Sequence, residues 1–142
     1  MPYFKNQEEM YAVQRAFFDR VAADSAIGPA LQRSGLIIRF MLHDPDGAVT
    51  IDCRQPGSGG GHFTTVFGES DLRPDLTLFS SADFSHEFWQ GKGNIFSALV
   101  SGKVRVGGDF NQALKIVPAL KPLAAVYAQV LADLGRGDLV LK

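Results

Sequence analysis

Apolar residues recur at helical spacing near both ends of the chain and at alternate positions between them. From Gln7 to Ala23, Met10, Val13, Phe17 and Val21 form one stripe, widened by Tyr11 and Phe18. That pattern predicts an amphipathic helix with one buried face. Asn6 precedes it, with Glu9 three residues on, as in a capping box. A short second helix is predicted around 27–32, stopped by Gly35. The period then changes to two. Leu36, Ile38, Phe40 and Leu42 share one face of a strand, while Arg39 and His43 point the other way. Asp44-Pro45-Asp46-Gly47 reads as a turn with Pro at its second position and Gly closing it. The next strand alternates Val49, Ile51 and Cys53 against Thr50, Asp52 and Arg54. A Gly-rich loop covers 55–61, and a third strand follows with Phe63, Thr65 and Phe67 on one side. These three strands predict an antiparallel meander with one wet face.

After a polar connection, a fourth strand is predicted over 76–79 and a helix capped by Ser80 or Ser81 runs to Gln90, with Asp83 in its first turn. Phe84 and Phe88, four apart, share a face of it. Asn94 caps the next helix, whose apolar side comprises Ile95, Phe96, Leu99 and Val100, and Gly102 stops it. A fifth strand is predicted over 103–106. From Phe110 the spacing is helical again: Phe110, Leu114 and Val117, then Leu120, Leu123, Tyr127, Val130 and Leu134. Pro118 and Pro122 divide it, because an interior Pro removes a backbone bond and clashes with the preceding turn; Pro122 suits the start of the second piece. Strands four and five, joined through helices, are expected to run parallel or cross over the sheet. The resulting expectation is an α+β fold with a mixed sheet and one helical layer, forming a single domain over 1–142.

Composition narrows the function classes. A chain of 142 residues is long enough to bury about 68–70% of its unfolded surface without staples. Cys53 is the only cysteine, so no internal disulfide forms, and a reducing, cytoplasmic setting is the expectation. A formal net charge of −1 argues against broad attraction to nucleic acid or to an anionic membrane. The N-terminal residues lack the apolar core of a signal peptide, and no run of 18 apolar residues is present, so stable membrane insertion is not expected. Eleven Phe residues give a large apolar payload, consistent with a filled core or with an aromatic-lined cavity.

The candidate chemistry is thin. Gly57 to Gly61 invites a phosphate-loop reading, but the following residues alternate as a strand, where a phosphate loop needs a helix N-terminus. None of His43, His62 and His86 has a second histidine at metal-ligand spacing, and Asp44 to Gly47 beside His43 is fully explained as a turn. Cys53 falls on the inward face of its strand, where an inert thiol is the default. Arg136-Gly137-Asp138 reads as a polar turn. No catalytic residue, metal or cofactor is assigned. A small hydrolase or isomerase using His86 or His62 remains the least favoured alternative.

One stretch carries more. Ser80, Asp83-Phe84, Gly91-Lys92, Asn94, Gly102-Lys103 and Gly108-Asp109 occur in an order that resembles the sterol carrier protein family of lipid-binding domains. The preceding α-β-β-β segment is similar to it too. The resemblance implies a five-stranded mixed sheet with helices packed on one face, and an apolar tunnel between them for a fatty acyl chain, acyl-CoA or sterol-like lipid. It implies no catalysis by the domain itself, and leaves open a partner enzyme to which the lipid is presented. Carried over to this sequence, the ligand-binding positions are Phe84, Phe88, Phe96, Leu99 and Phe110, with Leu114, Val117, Leu120 and Leu123 closing the tunnel.

Overall fold

The computed structural model describes residues 3–57, 61–114, 116, 120 and 122–141. Val117 and Pro118 therefore lie outside the described residues, as do 58–60 of the Gly-rich loop. Two helices lead: α1 (Gln7–Ala23) and α2 (Ile27–Ser34). The Asn6 side chain accepts the Glu9 N–H at 2.9 Å, which satisfies one of the free donors at the start of α1. Asp24 accepts the Ala26 and Ile27 N–H groups, both at 2.8 Å, and these bonds hold its carboxyl below the usual range.

Five strands follow in one sheet, β1 (Ile37–His43), β2 (Gly47–Asp52), β3 (Thr64–Phe67), β4 (Leu76–Ser81) and β5 (Arg105–Gly108), in the spatial order β3-β2-β1-β4-β5. β1, β2 and β3 pair antiparallel, as the alternation predicts. The parallel pair is β1 with β4, and β5 returns antiparallel to β4. This corrects the expected relation of the last two strands. Between them lie α3 (Ala82–Trp89) and α4 (Ile95–Ser101), two helices of nearly equal length. An out-and-back excursion of that kind returns the chain to the end of β4 it left, so Arg105 starts β5 opposite Phe79.

β5 also begins later than the sequence spacing predicts. Gly102 caps α4 in the left-handed region at φ 82°, and Val104 then folds back, donating its N–H to Ala98 O at 3.2 Å and burying its side chain. Only from Arg105 is the backbone free to join the ladder. Residues 44–46 form the predicted turn after β1, with Asp44 at φ 57° and a cis Asp44–Pro45 peptide.

The chain closes with α5 (Phe110–Leu114), α6 (Leu123–Asp133) and a 3₁₀ turn (Gly137–Leu139). Pro122 sits immediately before α6, at its cap position. Helices cover one face of the sheet, which presents Ile38, Val49, Ile51 and Leu76 to them, all 2% exposed or less. α1 and α6 pack together through Phe17 and Tyr127, whose ring centres are 4.9 Å apart, and Arg20 pairs with Asp133 at the rim.

Candidate functional site

An apolar void lies between one half of the sheet and the helices above it. Its floor is Phe40, Leu76, Leu78 and Val106. The strand registers set Phe40 beside Leu78 and Leu78 beside Val106, so one parity delivers residues from three strands to one place. Its walls are Phe88 and Trp89 of α3 with Ile95 and Phe96 of α4. Its outer side is Phe110, Ala113 and Leu114 of α5, with Ile116 and Leu120. No described lining residue carries a titratable side chain, and the surface turned to the void is apolar. The void measures about 60 Å³, well under the ~150 Å³ of a cavity that admits benzene.

Local sequence explains why the walls stand where they do. The Ser81 hydroxyl accepts the Phe84 N–H at 3.0 Å and starts α3 directly at the end of β4. The Asn94 side chain accepts the Ser97 N–H at 3.0 Å and starts α4. At Gly108, with φ 95°, a Cβ would run into the Asp75 carbonyl, so the close approach of β5 to the start of β4 requires glycine there. Trp89 anchors the inner wall: its ring lies 5.1 Å from Phe17, 5.6 Å from Phe40 and 5.3 Å from Phe88, centre to centre.

Of the positions singled out in the sequence, Phe88, Phe96, Phe110, Leu114 and Leu120 come together around the void. Phe84, Leu99 and Leu123 are not in its lining. Phe84 stacks on Phe88 at 6.2 Å but faces a separate groove with His43, Glu87 and Lys103. Leu99 is half-buried, because α4 turns the small Ala98 inward instead. Leu123 is a core residue of α6. α6 packs on α1, and Phe110, Ala113, Leu114, Ile116 and Leu120 bound the outer side of the void. The floor residues Phe40, Leu76, Leu78 and Val106, together with Trp89, Ile95, Ala113 and Ile116, were not singled out. The alternation of the strands marks the floor positions as inward-facing, but not as facing a gap.

The histidines have structural partners. His86 is 1% exposed; its Nε2–H donates to Leu139 O at 2.8 Å, so its Nδ1 accepts the Tyr127 hydroxyl, also at 2.8 Å. Burial pushes the His86 pKa down and the Tyr127 pKa up. His62 packs its ring over Gly28 and meets Gln32 at 3.2 Å. His43 is exposed beside Asp44, and among the described residues no three His, Cys, Asp or Glu side chains gather as a metal site. The Cys53 thiol is fully buried and pushed up to about 12, chiefly by desolvation, which makes it a poor nucleophile. Gly57 and Gly61 stand between two antiparallel strands, with no helix N-terminus following. The Arg136 guanidinium is engaged by Asp138 and Glu9.

A mixed sheet roofed on one face by helices, with an apolar void between them, defines the class: a small α+β domain. The model of the SCP-2 sterol transfer family matches residues 16–135, and the chain belongs to that family of lipid-binding carrier domains. No curated protein sequence matches it. Among solved structures it is similar to the sterol carrier protein domain 2 of Helicoverpa armigera, with 19% identity, TM-score 0.64, and coverage of 82% of this chain and 88% of that one. It is also similar to the UbiJ-SCP2 ubiquinone synthesis protein, with 15% identity, TM-score 0.59, and coverage of 87% and 95%. A third similar structure is the inverting sec-alkylsulfatase Pisa1 from Pseudomonas sp., with 18% identity and TM-score 0.55, where the match covers 70% of this chain but 15% of that one. At these identities the likeness establishes a shared fold.

Proposed function

We propose that this domain carries a fatty acyl chain, or an apolar molecule of similar girth, between its sheet and its α4–α5 wall. The observation that carries this reading is the combination of an entirely apolar lining with an outer wall of partly exposed residues: Phe96 is 54%, Phe110 36% and Leu114 46% exposed. A void of about 60 Å³ holds no acyl chain, so these three side chains must swing outward for a ligand to enter. They forfeit few contacts in doing so, and each methylene that replaces them gains about 0.8 kcal/mol before ordering costs. With no titratable side chain in the described lining, the domain acts by holding its ligand rather than by altering it. A cytoplasmic setting fits the buried, unpaired Cys53. A presenting role beside a partner enzyme is the second reading, favoured by the near full-length likeness to a protein of ubiquinone synthesis. Pull-down under native conditions distinguishes it from a free carrier.

A fluorescent fatty acid should bind in solution and be displaced by oleate. Ala113→Leu places three more carbons into the void and should weaken that binding at least about tenfold, a cost of about 1.4 kcal/mol. A wild-type protein that neither binds the probe nor carries lipid through native mass spectrometry removes the reading.

A further inference from the structure

We infer that two copies of this chain join through the free edge of β3, extending the sheet of one copy into that of the other. The inference stands apart from the carrier reading, because the void lies toward the opposite edge of the sheet, over β1, β4 and β5. β3 is an edge strand with β2 as its neighbour. Gly68 donates its N–H to Ala48 O at 2.8 Å in continuation of the β2–β3 register, so even-numbered residues of β3 turn their main-chain groups to β2. Those of Thr65 and Phe67 point outward, without a main-chain partner among the described residues. The edge is also unguarded. Exposed edges are commonly blunted by charge or proline, and glycine weakens a strand. Thr64–Phe67 carries none of these, and its residues favour strands. The opposite edge, β5, carries Arg105, Gly107 and Gly108.

The edge is self-complementary around Val66. A two-fold axis there sets Thr65 of each copy beside Phe67 of the other, where each pair exchanges two main-chain hydrogen bonds. The two Val66 side chains then meet across the seam on the open face of the sheet. α1 adds matching charges. It runs antiparallel to β3: the Arg15 guanidinium lies 4.3 Å from the centre of the Phe67 ring, and His62 donates its N–H to Ala22 O. Asp19 is four residues beyond Arg15, a rise of about 6 Å, and Thr65 is two strand residues from Phe67, about 6.8 Å. Asp19 therefore stands level with Thr65. Arg15 and Asp19 are exposed and line one groove along the edge with Thr65 and Phe67. Neither has an ion pair among the described residues. Across the two-fold axis, Asp19 of each copy meets Arg15 of the other.

Any extended peptide satisfies the outward main chain of Thr65 and Phe67. A second copy supplies in addition an acid for Arg15 and a base for Asp19, at a spacing its own helix fixes. That double match, of main chain and of charge, is what selects a copy of this chain over a foreign strand. The seam is short, so the dimer forms reversibly and depends on concentration.

Sedimentation velocity over a rising concentration series tests it. Wild type should pass from monomer to dimer, and hydrogen exchange at the Thr65 and Phe67 amides should slow in step. Thr65→Pro removes an outward N–H that β2 does not use. It should keep the wild-type circular dichroism yet dimerise at least about tenfold more weakly. Arg15→Asp and Asp19→Arg should each weaken the dimer about tenfold, by losing both ion pairs and opposing like charges. The double variant Arg15→Asp/Asp19→Arg exchanges the charges and should restore it. A chain that stays monomeric up to millimolar concentration overturns the inference. So does a dimer that Thr65→Pro leaves intact, since another face then joins the copies. A double variant as weak as the single ones overturns it too, and that comparison decides alone if Thr65→Pro fails to fold. Full protection of the Thr65 and Phe67 amides in the dilute monomer also overturns it, because the edge is then filled from within the chain.

Discussion

His86 shows how one polar side chain organises an otherwise apolar interior. Both ring nitrogens are used, one on the Tyr127 hydroxyl of α6 and one on the Leu139 carbonyl of the 3₁₀ turn. Gln90, one turn along α3, accepts the Leu141 N–H at 2.8 Å. The Tyr3 ring covers His86 from the N-terminal side, and the Tyr3 N–H donates to Asp83 at 3.0 Å. Removing the hydroxyl in Tyr127→Phe leaves a buried Nδ1 without a donor, which should cost about 1–3 kcal/mol and lower the melting temperature by several degrees. The pH dependence has a definite sign. Desolvation holds His86 below its ordinary value, although Leu139 O, Asp83 and Glu87 oppose the shift. The unfolded chain therefore binds the proton more readily than the native state. The stability linked to His86 is full above about pH 6.5, the unfolded value, and is lost as pH falls below it. Thermal melts between pH 8 and pH 5 check this; a melting temperature that holds constant across that range contradicts it.

At the scale of the elements, caps decide where the cavity walls stand. Ser81→Ala and Asn94→Ala each remove the side-chain acceptor of a first-turn N–H, and each should cost about 1 kcal/mol, read as a shift in the urea midpoint at constant slope. These caps were legible because Ser and Asn compete poorly in helix interiors and well at helix starts. The three-strand meander was legible for an equivalent reason, since alternation marks a half-buried sheet. What spacing could not convey was rotation and onset. Seven residues of α4 fit an apolar stripe through Ile95 and Leu99, yet the helix settles with Ala98 inward and Phe96 and Val100 outward. A short helix has too few turns for its stripe to overrule its neighbours. The start of β5 was displaced by the return of Val104 under α4, a tertiary contact that alternation alone does not register. The site divided along the same line. Phe88, Phe96, Phe110, Leu114 and Leu120 stood out on helical stripes and through the family resemblance. Phe40, Leu76, Leu78 and Val106 looked like ordinary core, because a floor residue under a void and one under a helix obey the same period.

For the whole molecule, the proposed carrier role sets packing against access. Interiors pack to crystal-like density, and here Phe96, Phe110 and Leu114 rest half in and half out beside a void of about 60 Å³. On the proposed carrier role, opening is recovered from ligand burial, so binding should couple to global stability. At a free ligand concentration of 100 times the dissociation constant, the folded state gains about 2.7 kcal/mol. For a chain of this size that is a rise of roughly 5–10 °C in melting temperature. Ala113→Leu changes both halves of the balance. Its added carbons occupy the void without ligand, so the free protein should melt no lower than wild type, while the ligand-dependent rise should shrink or vanish. Melting curves of both proteins, with and without oleate below its micelle threshold, decide the matter. Equal ligand-dependent rises in the two would mean that the acyl chain is held elsewhere. A drop in the melting temperature of the free variant would mean that the void is already as small as its walls allow.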